Sequence, residues 1–178
     1  MLLPLRHSLF YLFVFLNALP VAHASALTSA GDFISSNARY VAHAHAAVHK
    51  DIDGTLQLIL ANHAGRWTKA WLKDEVKRTR PEGTDQRSFP SGHTMKASVP
   101  AWYITERYGW REGWPYHVGA AVAGAARVEQ KRHYAEDVIG THLLAWGVTR
   151  LVTGRDGAAP PVGVTVERGV RLHFFGTF

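Results

Sequence analysis

Three short clusters of basic, imidazole and small polar residues lie in the central part of this sequence. They comprise Lys73 and Arg80, then Ser91, Gly92 and His93, and finally Arg127, His133 and Asp137. These residue types suit phosphoryl chemistry, because the phosphoryl oxygens carry negative charge that donors must hold throughout the transfer. Arg offers those oxygens a bidentate fork and Lys offers a point charge. The three clusters therefore predict a site that binds a phosphate group.

The second and third clusters add what the transfer itself requires. Ser91, Gly92 and His93 at a helix start would present free backbone N–H groups to an anion, and Gly92 has no Cβ to keep the phosphate away. A metal-free mechanism also needs a nucleophile and a proton donor, and His133 and His93 can supply these two roles. Asp137 is at i+4 from His133 and could accept a hydrogen bond from one imidazole nitrogen, leaving the other as an unprotonated nucleophile.

In this order and spacing, Lys-x6-Arg-Pro, Pro-Ser-Gly-His and Arg-x5-His-x3-Asp resemble the three-part signature of the type-2 phosphatidic acid phosphatase family. That family shares its site with bacterial class A acid phosphatases and vanadium haloperoxidases. The resemblance covers about residues 55–153. It implies that His133 is the nucleophile, Asp137 its orienting partner and His93 the general acid. It also implies a phosphate cradle made of Lys73, Arg80, Ser91, Gly92 and Arg127, with neither metal nor cofactor.

Two features depart from the family pattern. Ala126 stands where the family usually has Ser, which removes a hydroxyl donor beside Arg127. Integral members of the family resemble six-helix membrane proteins, whereas the sequence after residue 26 has no apolar stretch long enough to span a bilayer. The chain is therefore more similar to the branch of the family that is soluble or membrane-associated.

The elements around these clusters are predicted to be mainly helical. Hydrophobic spacing indicates a helix over about residues 32–49 with Asp32 as its cap, and a second from about Thr55 that is interrupted near Gly65. A loop follows over Arg78–Pro90, and Ser91 then caps a third helix that runs to Tyr108 with a kink at Pro100. Two more helices are expected at 115–127 and 135–152. Alternating residues in 162–166 and 170–174 indicate a hairpin. The expected fold is an all-α bundle of about five helices with a short C-terminal β-hairpin.

The N-terminal segment has the pattern of a secretory signal peptide. Arg6 precedes an apolar run from Leu9 to Leu16, and small residues follow that allow cleavage after Ala24 or Ala26. We therefore expect residues 1–26 to be a signal peptide, with an uncleaved anchor as the alternative. The helical domain would occupy residues 27–153, and residues 154–178 would form a Gly/Pro-rich linker and the hairpin. An exported, periplasmic protein with membrane association follows from this interpretation.

Composition narrows the classes of partner. The chain has 178 residues, a formal charge of +6 and no Cys, which excludes disulfide scaffolds and thiolate chemistry. The positive charge favours an anionic partner. We expect a phosphorylated substrate, lipid-linked or a small soluble ester, and peripheral membrane contact rather than nucleic acid. The oligomeric state is not indicated.

Two other residue groups have both a structural and a functional interpretation. His45 and His49 are at i, i+4 and could bind Zn²⁺, but no third ligand is evident at supporting spacing, so a helix face without metal is favoured. The six Trp residues are expected in the core or at an interface, with lipid contact as the alternative.

The predicted function is metal-independent hydrolysis of phosphate monoesters or diphosphates through a phosphohistidine. A vanadium-dependent haloperoxidase and a catalytically vestigial basic anion- or lipid-binding protein are the alternatives.

Overall fold

The computed structural model describes residues 24–155, 158–166 and 169–174. The helices of this part are α1 (Ala24–Val48), α2 (Ile52–Val76), α3 (Gly92–Tyr108), α4 (Trp110–Glu129) and α5 (Ala135–Val152). Strands β1 (Val162–Thr165) and β2 (Arg171–Phe174) pair antiparallel, with Val162 opposite Phe174. The predicted all-α bundle with a C-terminal hairpin is confirmed.

Helix α3 is the central element, because it packs against each of the other four helices. Its residues Tyr103 and Ile104 are fully buried with Leu58 of α2 and Ala123 of α4. The helix begins at an N-cap formed by Ser91, whose Oγ accepts a hydrogen bond from the Thr94 amide at 3.4 Å. The predicted cap is therefore present, and it places the start of α3 at the end of the 77–91 loop.

Several predicted helix boundaries are wrong. Helix α1 begins eight residues before Asp32, so Asp32 lies inside the helix instead of capping it. Helix α2 is not interrupted at Gly65. This glycine lies against α3, where a Cβ would come within 2.9 Å of Val99 Cγ2. Helix α4 begins at Trp110 and includes Pro115. Helix α3 runs through Pro100 without a break, and a kink there stays a prediction.

The tryptophans are less buried than the sequence indicates. Trp67, Trp71 and Trp110 are 73%, 62% and 61% exposed, so these three do not belong to the core. Trp102 is half-buried, and its indole donates to the His142 carbonyl at 3.0 Å. Trp114 and Trp146 are exposed to a smaller extent, and an interface or a lipid contact remains the prediction for these five rings.

The Asp51–Arg107 network, defined here as Asp51, Arg107 and Tyr108, ties α2 and α3 to the segment after α5. Arg107 donates from Nε and Nη2 to the two carboxylate oxygens of Asp51, each at 2.7 Å, and Tyr108 donates its hydroxyl to Asp51 at 2.8 Å. Arg107 Nη1 donates to the carbonyls of Gly154 and Arg155, both at 3.0 Å. Burial alone would raise the pKa of Asp51, but the hydrogen bonds from Arg107, Gly54 and Tyr108 hold it below its usual range.

The predicted signal peptide, residues 1–26, lies outside the described residues except for its last three positions, where α1 begins. Within the part of the chain that the structure describes, none of the helices combines the length and the apolar character that a bilayer crossing requires.

Candidate active site

Residues from all three sequence clusters meet in one small cavity, which we call the cradle pocket. Its volume is about 180 Å³, and it is lined by Lys73, Arg80, Gly92, His93, Arg127, Arg132 and His133. Six of the eight residues that the sequence singled out therefore line the same space. Arg132 was missed, although its position directly before His133 was a signal that it could face the same side.

His133 sits in the wall of the pocket and is 4% exposed. Its Nδ1 lies 2.5 Å from the backbone carbonyl of Ser88, so Nδ1 carries the proton and Nε2 keeps its lone pair. Nε2 lies 3.4 Å from Arg80 Nη1. Burial, together with the charges of Arg80 and Lys73, lowers the pKa of His133 to about 4 and outweighs the opposing effects of the Ser88 carbonyl and Asp137. The imidazole is therefore neutral near pH 7.

Asp137 does not contact His133 in the way that the i+4 spacing suggests. The hydrogen-bond partner of the imidazole is the Ser88 carbonyl, and Asp137 Oδ2 accepts instead from the Ser88 hydroxyl at 2.5 Å and from the Tyr134 amide at 3.0 Å. Asp137 Oδ1 lies 2.9 Å from Arg78 Nη1. The carboxylate thus connects the 77–91 loop to the start of α5, and Ser88 contacts both Asp137 and His133. The sequence could not show this because Ser88 belongs to none of the three clusters.

Asp32 is a second residue that sequence reasoning missed. It reaches the site from α1, where its Oδ1 accepts from Arg127 Nη2 at 2.6 Å and lies 3.4 Å from His93 Nε2. Burial and the charge of Arg127 lower the pKa of His93, whereas Asp32 acts in the opposite direction. A phosphate dianion beside His93 would also favour the protonated imidazole.

The cations of the pocket are held by polar contacts on its outer side. Arg80 donates from Nε to Asp85 at 2.7 Å and from Nη1 to the Arg132 carbonyl at 2.9 Å. The Lys73 amine donates to the Arg87 carbonyl. Burial and the neighbouring positive charges, Arg80 first, lower the pKa of Lys73 to about 8. Positive charge thus outweighs negative charge here, as expected of a site that receives an anion.

Ser91 is not among the residues that line the pocket, and its predicted place in the cradle stays a prediction. Its side chain is fully buried as the cap of α3, and its amide donates to Thr141 Oγ1 at 2.9 Å. The next two amides, of Gly92 and His93, make no hydrogen bond within the described residues, as is normal for the first turn of a helix. The part of the second cluster that faces the pocket is therefore Gly92 and His93, and Ser91 positions them.

Ala126 faces away from the chemistry. It is fully buried, and a Cβ added to Gly31 of α1 would lie 2.5 Å from the Ala126 methyl group. The position that carries Ser in the family pattern is thus a contact between α1 and α4 in this chain.

His45 and His49 form a separate cluster with a third residue. Glu112 of α4 places Oε2 at 2.8 Å from His45 Nε2 and 3.2 Å from His49 Nε2. The third ligand that the helix spacing did not offer is therefore supplied by another helix, and these three could together hold a cation. Hydrogen bonding of both imidazoles to Glu112 also accounts for the arrangement, so a face without metal stays a prediction.

The chain is thus a helical bundle with a basic, histidine-containing pocket whose charge suits an anion. The sequence model of the PAP2 superfamily matches residues 54–155, and the chain belongs to that superfamily. Over 65 residues, 35% of the chain, it is 42% identical to a protein of Porphyromonas gingivalis named lipid A 1-phosphatase. Over 76 residues, 43% of the chain, it is 34% identical to a lipid A 4'-phosphatase of Helicobacter pylori strain J99.

The matched segments span 15% and 38% of the lengths of these two relatives. No solved structure matches the chain significantly.

Proposed function

We propose that this protein is a phosphatase that hydrolyses phosphoric esters through a phosphohistidine at His133, without a metal ion. One observation carries the proposal: a buried, neutral imidazole presents Nε2 to a cavity of about 180 Å³ whose other side chains are cationic or imidazole. Family membership supports the same reaction class. Among the described lining residues there is no carboxylate that could hold Mg²⁺.

The first half of the proposed reaction forms a bond between nitrogen and phosphorus. The lone pair of His133 Nε2 attacks the phosphorus, and the bond to the leaving oxygen breaks. His93 donates its proton to that oxygen, so the product leaves as an alcohol, or as a phosphate if the substrate is a diphosphate. The Nδ1 contact with Ser88 keeps the attacking nitrogen aimed and stabilises the positive charge that develops on the ring.

The second half returns the enzyme to its starting state. Neutral His93 takes a proton from water while the water oxygen attacks phosphorus and the bond to Nε2 breaks. Inorganic phosphate leaves, and His93 is protonated again. Throughout both halves the equatorial oxygens face Lys73, Arg80 and Arg127 and the amides at the start of α3, which supply the charge stabilisation that a metal supplies elsewhere.

The substrate class that we propose is a lipid-linked phosphate, with small esters as the alternative. Both relatives are named as lipid A phosphatases, and this supports a phosphorylated glycolipid as the substrate. The exposed rings of Trp67, Trp71 and Trp110, on a chain with a charge of +6, support contact with an anionic lipid surface. With the expected export signal, these features lead us to propose a periplasmic, membrane-associated location.

The test is phosphate release from a panel of phosphorylated lipids and soluble esters in the presence of EDTA. We expect turnover to persist in the chelator and to be inhibited by vanadate, which resembles the pentacoordinate phosphoryl group. The matched control is a His133→Ala variant assayed on the same panel. Complete loss of activity in EDTA with recovery on adding metal would overturn the mechanism, and so would equal rates for the two proteins.

A further inference from the structure

A second, larger cavity adjoins the cradle pocket. Its volume is about 480 Å³, and we call it the basic groove after the four cations in its wall, which are Arg39, Arg66, Lys69 and Lys96. Gly92 lines both cavities, so the two are neighbours. A Cβ at Gly92 would meet only Lys69 Cδ, at 3.7 Å. The catalytic steps above use none of the four cations.

Among the residues that the structure describes, no carboxylate pairs with these four charges. Within residues 24–155, 158–166 and 169–174, no ion pair joins any of them to an acidic side chain. Arg39 instead stacks on the ring of Tyr40, 4.5 Å from its centroid. Burial and repulsion from Lys96, Arg66 and Arg87 lower the pKa of Lys69. Neighbouring cations without anions cost free energy that a bound anion would recover.

The basic groove extends away from the reaction site along α2 and α3. Arg66, Lys69 and Lys73 are at i, i+3 and i+7 on α2, and therefore share one face of that helix. Lys69 is about 6 Å and Arg66 about 10 Å along the axis from Lys73, at 1.5 Å per residue. The contacts of Gly92 with Lys69 and of Gly65 with Val99 show that α2 and α3 run antiparallel. Lys96, one turn after Gly92 on α3, therefore lies in the same direction from the cradle. Positive charge thus continues for two turns away from the cradle.

We propose that the basic groove binds a second anionic group of the same substrate molecule, separated from the reacting phosphate by several bonds. This inference rests on the proposed phosphatase function and narrows its substrate class to compounds with two distant acidic groups, such as a bisphosphorylated glycolipid head group. The two phosphoryl groups of a diphosphate share one bridging oxygen, so a diphosphate in the cradle extends less far toward Arg66 than a compound whose acidic groups are several bonds apart. Polar side chains beside the cations, Ser35 and Asn62 among them, suit the linking sugar or polyol.

The decisive experiment measures binding separately from turnover. Hexane bisphosphonate and hexylphosphonate have carbon–phosphorus bonds that a phosphatase does not hydrolyse, so calorimetry on the intact protein gives a Kd for each. We expect the bisphosphonate to bind about tenfold more tightly, and Arg66→Gln to remove most of this gain while leaving hexylphosphonate binding unchanged. Arg171→Gln, which removes an exposed charge on β2, is the matched control and should keep the full gain.

Turnover of hexanediol bisphosphate and hexyl phosphate then tests whether the groove serves catalysis. We expect kcat/KM to favour the bisphosphate by about the same factor in the wild-type protein and in Arg171→Gln, but not in Arg66→Gln. If neither these esters nor any phosphorylated lipid of the panel above releases phosphate while the bisphosphonate preference persists, the proposed function fails and the second anion site stands. Equal Kd values for the two phosphonates, or an undiminished preference in Arg66→Gln, would overturn the groove proposal.

Membrane head groups are a competing source of the second anion, and vesicles separate them from a substrate group. Sedimentation with phosphatidylglycerol vesicles should be the same for the wild-type protein and Arg66→Gln if the groove receives the substrate. Vesicle binding that Arg66→Gln weakens, together with no preference for the bisphosphonate, would assign the groove to the lipid surface and refute the proposal.

Discussion

Arg107 and Arg127 are both buried, with 4% and 7% of their surface exposed, but their surroundings differ. In the Asp51–Arg107 network, Nε, Nη1 and Nη2 of Arg107 all donate to oxygens of the protein. In the cradle pocket, Arg127 donates from Nη2 to Asp32, and its buried Nε has no acceptor within the described residues. A buried donor without an acceptor costs free energy. We therefore infer that Arg107 stabilises the fold, whereas Arg127 has a donor available for an external anion.

We therefore expect substitutions in the cradle pocket to lower turnover, and substitutions in the Asp51–Arg107 network to lower the free energy of unfolding. The largest loss of turnover is expected for His133→Ala, which removes the attacking Nε2. We expect kcat to fall on the order of 10⁴-fold or more, as for other nucleophiles. His49→Ala is the matched control, because it removes an exposed imidazole outside the pocket. Phosphate release by His133→Ala at near wild-type rates would show that the nucleophile is misplaced.

The next loss concerns His93 and depends on the leaving group. An alkoxide needs a proton to leave, whereas a nitrophenolate leaves with little help. We expect His93→Ala to lose about 10³-fold in kcat/KM on alkyl or lipid phosphates and far less on p-nitrophenyl phosphate. Steady-state kinetics on the two substrates measures the difference, and equal losses would mean that His93 only binds phosphate.

The pH profile gives an independent check of His93. The proposed mechanism requires neutral His133 and protonated His93, so kcat/KM should fall as the pH drops toward about 4, where His133 gains its proton. It should also fall as the pH rises through the pKa of His93, which burial and Arg127 hold below its usual value in the free protein. The profile is thus a bell on the acidic side of neutrality. His93→Ala should lose the alkaline limb, and an unchanged bell would contradict the acid role.

A smaller loss is expected for Asp137→Asn, because the carboxylate acts on His133 through Ser88. We expect kcat to fall about 10²-fold, less than for loss of a residue that touches the imidazole directly. Ser88→Ala keeps the carbonyl that binds Nδ1 and removes the hydroxyl through which Asp137 acts, so it should cost a similar factor in kcat. A kcat near the wild-type value for Ser88→Ala, with the loss retained in Asp137→Asn, would mean that Asp137 does not act through this hydroxyl.

The two guanidinium groups provide the most direct test, because the same change can be made in each. Arg127→Gln should lower kcat/KM about 30-fold, the value of one charge-assisted contact, with little change in thermal stability. Arg107→Gln should leave the turnover of folded protein unchanged but lower the free energy of unfolding by about 3 kcal/mol, since it strands a buried carboxylate. Denaturant unfolding and kinetics on both variants measure the contrast, and a stability loss of similar size in both would remove the distinction.

The helices were predictable because hydrophobic spacing and capping are local information, and helical spacing located α5 to the residue. The resemblance to the family pattern indicated that Lys73, Arg80, Arg127 and His133 belong to one site, and all four line the cradle pocket. The position of Ser91 at the start of α3 was also predicted, and its side chain caps that helix.

Contacts between distant segments were not predictable. The sequence predicts Asp32 as a helix cap because only neighbouring residues indicate where a helix starts. Its partner in the structure, Arg127, is 95 positions away along the chain. Glu112 joins His45 and His49 in the same way, from another helix. The four cations of the basic groove come from α1, α2 and α3, and their positions in the sequence match no motif. Each depends on helix packing, which periodicity does not describe.

Because Gly31 and Ala126 are in contact, a substitution at either position limits which residues the other can accept. A methyl group at 31 would overlap the one at 126, so an exchange of Gly31 for a larger residue must be accompanied by retreat of α1 from α4. The same helices carry Asp32 and Arg127, one residue further along in each case, and any retreat would open that ion pair. Any side chain larger than that of Ala at 126 meets the same restriction from the other helix, because Ala126 is fully buried against Gly31.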